Sequence, residues 1–137
     1  MTDSHARRTA MIAVLGRALA PARDVAAAWL FGSMARGDDR ADSDVDVLLD
    51  LELRGLAVHE RVSEIQDQLV VELGRSVDVV PLGDAPVDLV HRVLRDGILV
   101  HETDHRRRLE FEVRARNEHW DLLPILELYR RTVLRDA

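Results

Sequence analysis

The chain has 137 residues, 47% of them hydrophobic and 32% charged, and carries a formal net charge of −6. This is the make-up of one globular domain able to bury a core, and the acidic balance argues against non-specific binding to a nucleic-acid backbone. Cysteine is absent, which excludes disulfides and thiolate metal sites, and no apolar run reaches the about eighteen residues that a membrane span needs.

Residues 4–20 predict a first helix, with Met11, Leu15, Ala18 and Ala22 on one face, Ile12 and Leu19 widening it, Asp3 or Ser4 as cap and Pro21 as its end. Val25–Phe31 reads as a short buried strand that stops at Gly32. Ser33 opens a helix of one or two turns that ends near Gly37, and residues 38–42 are polar and turn-like. Residues 44–51 alternate. Asp44, Asp46, Leu48 and Asp50 fall on one face, and Val45, Val47, Leu49 and Leu51 on the other.

Gly55 breaks the chain before a second long helix, on which Val58, Val62, Ile65, Leu69 and Leu73 keep helical spacing and Gly74 closes the end. Val77–Val80 is a short strand that reads as buried, interrupted by Asp78. Pro81 and Pro86 bracket a loop holding Asp84. Val87–Arg95 forms a third helix closed by Gly97, and Ile98–His101 a last strand. From Asp104 to about Leu134 the chain is rich in Arg, Glu and Leu, with Thr103 or Asp104 as cap and Pro124 expected to kink or divide it. This order implies an α/β or α+β domain around a small mixed sheet. One domain is expected over 1–137, with a core at 4–102 and a helical segment at 103–137.

The chemistry lies in Gly32-Ser33, a spacer of ten residues, and Asp44-x-Asp46. Two carboxylates at alternate strand positions are about 6.6 Å apart along the chain. Their side chains can converge on ions, and two metals about 3.5–4 Å apart can clamp an in-line phosphoryl displacement. Magnesium suits the task because it takes few carboxylates and completes its shell with substrate phosphates. An Asp-x-Asp strand can also be a merely solvated face, but here the opposite face is continuously apolar, so the strand is packed. Gly32 lets the backbone approach a phosphate, the turn beyond it offers free amides, and the Ser33 hydroxyl can donate. A strand-to-helix turn capped by serine is common on its own; the spacing to Asp44 favours the phosphate site.

All 19 basic residues are arginine, so any side-chain cation on a phosphate is a planar guanidinium. Arg36 is the nearest to the turn, as a triphosphate contact or as a solvated side chain. Ser43 either orients Asp44 or starts the strand. Asp78, within an apolar run, calls for a partner, a hydrogen bond or a metal; beside Asp44 it could ligate metal and accept a proton from an attacking hydroxyl.

The six histidines form no ligand pattern, and His101 and His105 read as surface residues. Arg106–Glu110, Arg108–Glu112 and Glu112–Arg116 read as i,i+4 pairs on a solvated face. Trp120, Leu123, Leu126 and Tyr129 are either core or part of a partner-binding face.

The stretch GSMARGDDRADSDVDVLLD resembles the signature of the DNA polymerase beta-like nucleotidyltransferases. With the later VDVV and the closing FEVRARNEHWDLLPILELYRR, the chain is similar to the minimal nucleotidyltransferases of the MntA antitoxin type, partners of HEPN-domain toxins. The resemblance implies a palm-like sheet flanked by helices with a C-terminal helical arm. It implies that Gly32 and Ser33 hold the triphosphate, that Asp44 and Asp46 bind Mg2+, and that Asp78 completes the set and activates the acceptor. It further implies transfer of AMP from ATP to a tyrosine of the toxin.

Two other functions stay open on the residues. One is an antitoxin that neutralises its partner by binding alone. The other is a small-molecule nucleotidyltransferase, disfavoured because only about thirty residues follow the sheet. The absence of cysteine and of an apolar secretory signal fits a cytoplasmic protein.

Overall fold

A computed structural model describes the backbone of residues 3–136, with side chains from Ser4 to Trp120 and at Leu128 and Arg131. In chain order it contains α1 (Asp3–Leu19), β1 (Val25–Phe31), α2 (Ser33–Arg36), β2 (Val45–Leu51) and α3 (Leu56–Leu73). There follow β3 (Val77–Pro81), a 3-10 turn (Leu82–Asp84), α4 (Val87–Asp96), β4 (Ile98–Glu102) and α5 (His105–Asp136). The expected α+β class and mixed sheet are both present.

The strand order is β3-β2-β1-β4. β1 pairs antiparallel with β2 and with β4, whereas β2 and β3 run parallel. The alternation of β2 explains the layering: Val45, Val47 and Leu49 pack with Leu15 of α1 and with Ile65 and Leu69 of α3 in one apolar cluster. On the other face Leu48 joins Trp29 of β1, Val90 and Val93 of α4 and Phe111 of α5. The Trp29 and Phe111 rings meet edge to face, 5.5 Å apart at 60°. Helices thus cover both faces of the inner strands, while β3 is an edge.

Several local expectations hold. Gly74 closes α3 through a 2.9 Å bond from its N–H to the Val70 carbonyl. The Asp104 carboxylate accepts the Arg107 N–H at 3.0 Å, which caps α5. The three charge pairs of α5 are present, at 3.1, 2.8 and 4.0 Å.

Others are corrected. Ser4 lies within α1 and gives its hydroxyl to the Gly37 carbonyl and the Asp39 carboxylate instead of capping. Of the two outcomes expected at Pro124, division does not occur: α5 is one helix from His105 to Asp136. His101 is half-buried, not superficial; its Nε2 is buried with no hydrogen-bond partner among the described residues, and burial lowers its pKa. The Asp3 side chain and those of Leu123, Leu126 and Tyr129 lie outside the described residues. Among the described residues no helix is long and apolar enough to cross a membrane.

Candidate active site

The site forms where β1 ends beside the start of β2. Gly32 follows β1 at φ 79° and ψ −155°, a conformation kept almost wholly to glycine. Phe31 stands opposite Asp46 in the ladder, so Gly32 arrives against the Asp46 side chain. A Cβ at Gly32 would overlap an Asp46 carboxylate oxygen and come within 3.2 Å of Cγ. Glycine is therefore needed here for two independent reasons, backbone conformation and close approach to the carboxylate.

Ser33–Arg36 is a single turn whose Met34 and Ala35 are buried and whose Arg36 is exposed. Gly37 ends it, its N–H bonded to the Ser33 carbonyl at 3.0 Å. The loop that follows is clamped from two sides. Asp39 has a fully buried side chain, bound by Arg7 Nε at 2.9 Å and by the Ser4 hydroxyl. Burial alone would raise the Asp39 pKa, but the Ser4 and Arg7 hydrogen bonds outweigh it and hold the carboxyl below its ordinary value. From the other side Arg75 donates to the carbonyls of Ala41, at 3.0 Å, and of Ser43. Ser43 itself closes a turn, its hydroxyl accepting the Arg40 N–H at 2.7 Å. Nothing in the sequence marked Asp39 as buried, because its partners stand over thirty residues away.

Asp44 is exposed and immediately precedes β2, which begins one residue later than expected. Asp46 is half-buried on β2, and Asp78 is its register partner on β3. The three predicted carboxylates are thus brought to one corner of the sheet. Burial, then the charge of Asp78, then that of Asp44 raise the Asp46 pKa, while Arg36 opposes them. Asp78 is exposed, contrary to the expectation of a buried carboxylate. Its apolar neighbours Val77 and Val79 point to the opposite face, and its own face lies uncovered at the sheet edge. Among the described residues no group of three or more His, Asp or Glu side chains is placed to hold a metal ion.

Asp50 lies on the same strand face, and its role was not read from the sequence. It is buried and accepts two hydrogen bonds from Arg107 of α5, both at 2.9 Å, so it is an anchor between elements. The end of α4 comes at Gly97, where the sequence reading put it. Gly97 donates its N–H to the Val93 carbonyl at 2.7 Å, and a Cβ there would press on that oxygen and on the Leu30 carbonyl. This lets the end of α4 lie flush against the end of β1. A cavity of about 180 Å³ remains between them, lined by Phe31, Gly32, Arg36, Arg92, Arg95 and Asp96 among others. The usable signal was the spacing Arg92-x-x-Arg95 just before a glycine. His91 and His119, which nothing in the sequence pairs, stack 3.6 Å apart at 2°. A cavity of about 720 Å³ lies at the far end of β2 beside Arg107 and away from Asp44, Asp46 and Asp78.

Residues 15–106 match the family model described as Polymerase beta, Nucleotidyltransferase. No curated protein matches the chain in sequence. Among solved structures, the chain is similar to a chain of a toxin–antitoxin crystallised with AMP-PNP, with a TM-score of 0.69 and 22% identity over 91% of this chain and 96% of that one. It is similar to a chain of the MntA–HepT toxin–antitoxin (0.59, 22%, covering 96% and 97%). A third is a chain from the tri-AMPylated Shewanella oneidensis HEPN toxin in complex with MNT antitoxin (0.59, 20%, covering 97% of each). At these identities the likeness is one of fold.

Proposed function

Because the chain belongs to the polymerase beta nucleotidyltransferase family, we propose that it is a cytoplasmic antitoxin of the minimal-nucleotidyltransferase type that moves AMP from ATP to a tyrosine of a HEPN-domain toxin. The observation that carries the chemistry is Asp46, pressed against the Gly32 backbone on one side and paired in register with Asp78 on the other. A phosphate turn and a carboxylate strand are thereby fixed against each other. The acceptor is supported by the fold shared, over 97% of each chain, with a chain from the complex of tri-AMPylated HEPN toxin and MNT antitoxin.

The chemistry of the site's carboxylates, though they do not form a closed set of ligands, suits magnesium. Asp44, Asp46 and Asp78 offer only hard oxygen ligands, and the like-charge crowding at Asp46 is what a divalent cation would relieve. Asp44 and Asp46 would hold the ion, Asp78 would complete the set, and substrate phosphates would supply the remaining ligands. When bound, magnesium neutralises triphosphate charge and polarises the phosphoryl oxygens.

The protein's own residues do the rest. Gly32 and Ser33 hold the triphosphate, with Arg36 adding charge and Ser43 fixing the turn that leads to Asp44. The tyrosine oxygen forms a bond to the α-phosphorus, and the bond from that phosphorus to the oxygen bridging to the β-phosphate breaks. Pyrophosphate leaves with the electron pair, and Asp78 takes the phenolic proton. The toxin is placed against α5, where Leu109, Val113 and Trp120 are exposed on one side of the helix.

Intact-mass spectrometry of the toxin after incubation with this protein, ATP and Mg2+ tests the reading. The toxin mass is expected to rise by one or more AMP units, and the double variant Asp44→Ala/Asp46→Ala to leave it unchanged. An unmodified toxin that is nevertheless neutralised would replace the enzymatic reading with inhibition by binding. Asp78→Asn is expected to slow transfer about 100-fold or more, and a wild-type rate would remove the general base from Asp78.

A further inference from the structure

We propose that Arg92 is a nucleotide-binding residue whose guanidinium, together with that of Arg36, clamps the β- and γ-phosphates in the cavity between α4 and the Gly32–Ser33 turn. The inference rests on the reading of this corner as a nucleoside-triphosphate site. It adds a residue from outside the glycine–serine and aspartate motifs, more than forty positions after the last of the paired aspartates.

The cavity opens directly beside Gly32, and three guanidiniums line it against a single carboxylate, that of Asp96. The three arginines are not equivalent. Arg95 is taken, since its Nε and Nη2 bind Asp96 at 3.0 and 2.8 Å in a fork-to-fork pair. Arg36 is only loosely engaged, with Nε 3.4 Å from Asp38 and both side chains more than half exposed. Arg92 makes no ion pair among the described residues; its Nε reaches only the Asp88 carbonyl of its own helix, at 3.4 Å.

Two permanently charged forks, one on α2 and one on α4, therefore face a small cavity with little to bind. A polyphosphate offers several oxygens at the spacing that planar guanidiniums read well. Phe31, Leu89 and Val93 form an apolar side of the cavity, where a charged hydrogen bond is worth more than in open water. The close seat of α4 on β1 through Gly97 sets the reach: without it the arginine row would stand off from the turn. Binding there holds the leaving pyrophosphate end, while the α-phosphorus stays toward Asp44, Asp46 and Asp78.

Calorimetric titration of the full chain with ATP, pyrophosphate and AMP, in the presence of Mg2+, tests the assignment without any toxin. Arg92→Ala is expected to weaken ATP and pyrophosphate about 10–100-fold and to leave AMP within about twofold, because only the distal phosphates are lost to it. Arg92→Lys should fall between, keeping charge without the fork. Arg95→Ala should stay within about threefold of wild type for all three ligands. Unchanged ATP affinity in Arg92→Ala overturns the proposal, as does an AMP loss equal to the ATP loss, which would make the cavity a base pocket. If the wild-type chain binds neither ATP nor pyrophosphate, the nucleotide-site reading falls with it. If binding behaves as expected but no toxin is modified, only the acceptor is wrong.

Discussion

Burial, followed by the charges of Asp78 and Asp44, holds the Asp46 carboxyl above its ordinary range. A carboxyl whose folded pKa is raised binds its proton more tightly in the folded state than in the unfolded one. The stability it confers is complete below the unfolded value and is lost as pH rises through the folded value. Near neutral pH, with no cation bound, ionised Asp46 therefore works against folding. Asp46→Asn, which keeps the shape and removes the charge, is expected to raise Tm by a few degrees near neutral pH in the presence of a chelator. The gain should shrink as the pH is lowered through the raised pKa, where wild-type Asp46 is itself protonated, and Mg2+ should narrow it by stabilising only the wild type. The same variant should transfer no AMP. Thermal melts over a pH series read this directly, and an equal or lower Tm for Asp46→Asn at neutral pH would show that the three carboxylates do not repel as their placement requires.

The second strand carries two jobs on one face: Asp46 belongs to the proposed site, and Asp50 anchors α5. Its alternation sorts Asp46, Leu48 and Asp50 to the same side, but the strand alone does not say which carboxylate meets solvent. Asp50 is sealed by Arg107, which arrives 57 residues later on α5. Asp78 looks buried in its local apolar run and is exposed because β3 lies at the sheet edge. The wrong expectation for Asp78 and the unread burial of Asp50 have the same origin, since periodicity is local and coverage is set by distant elements. What was local was readable: the order of elements, the glycine ends of α2 and α3, and the charge pairs of α5. Arg107→Ala tests the anchor. It leaves the Asp50 carboxylate buried without a partner, and urea denaturation should show a loss of about 1–3 kcal/mol. That is below the 3–5 kcal/mol of fully buried pairs because the Arg107 side chain is 42% exposed. Replacing Asp50 by Asn in the same chain should return part of the loss. A change below about 0.5 kcal/mol would mean that other ties, among them the Trp29–Phe111 contact and the Arg108–Glu102 bridge, hold α5 to the sheet.

At the scale of the molecule, the acidic net charge conceals an uneven distribution. Arg36, Arg92 and Arg95 gather beside the carboxylate corner, where Arg92 makes no ion pair among the described residues, whereas Arg106, Arg107 and Arg108 are each matched with a carboxylate. The RRR run is therefore structural, although it is the most basic stretch in the sequence. The outward side of α5 is where the chain has surface to spare. Leu109, Val113 and Trp120 follow spacings of four and seven, which place them along one stripe, and their exposures are 43%, 56% and 67%. An exposed tryptophan on such a stripe is the residue type that anchors partners. Its only described ring contact is a T-shaped one with His119, at 6.5 Å, so the free fold gains little from it. Trp120→Ser should therefore leave Tm within about 1 °C while weakening association with the toxin at least about tenfold, a split that a core residue cannot produce. Calorimetry of binding beside a thermal melt of the isolated chain separates the two cases. Unchanged affinity would move the partner off this stripe, and a loss of several degrees would return Trp120 to the core.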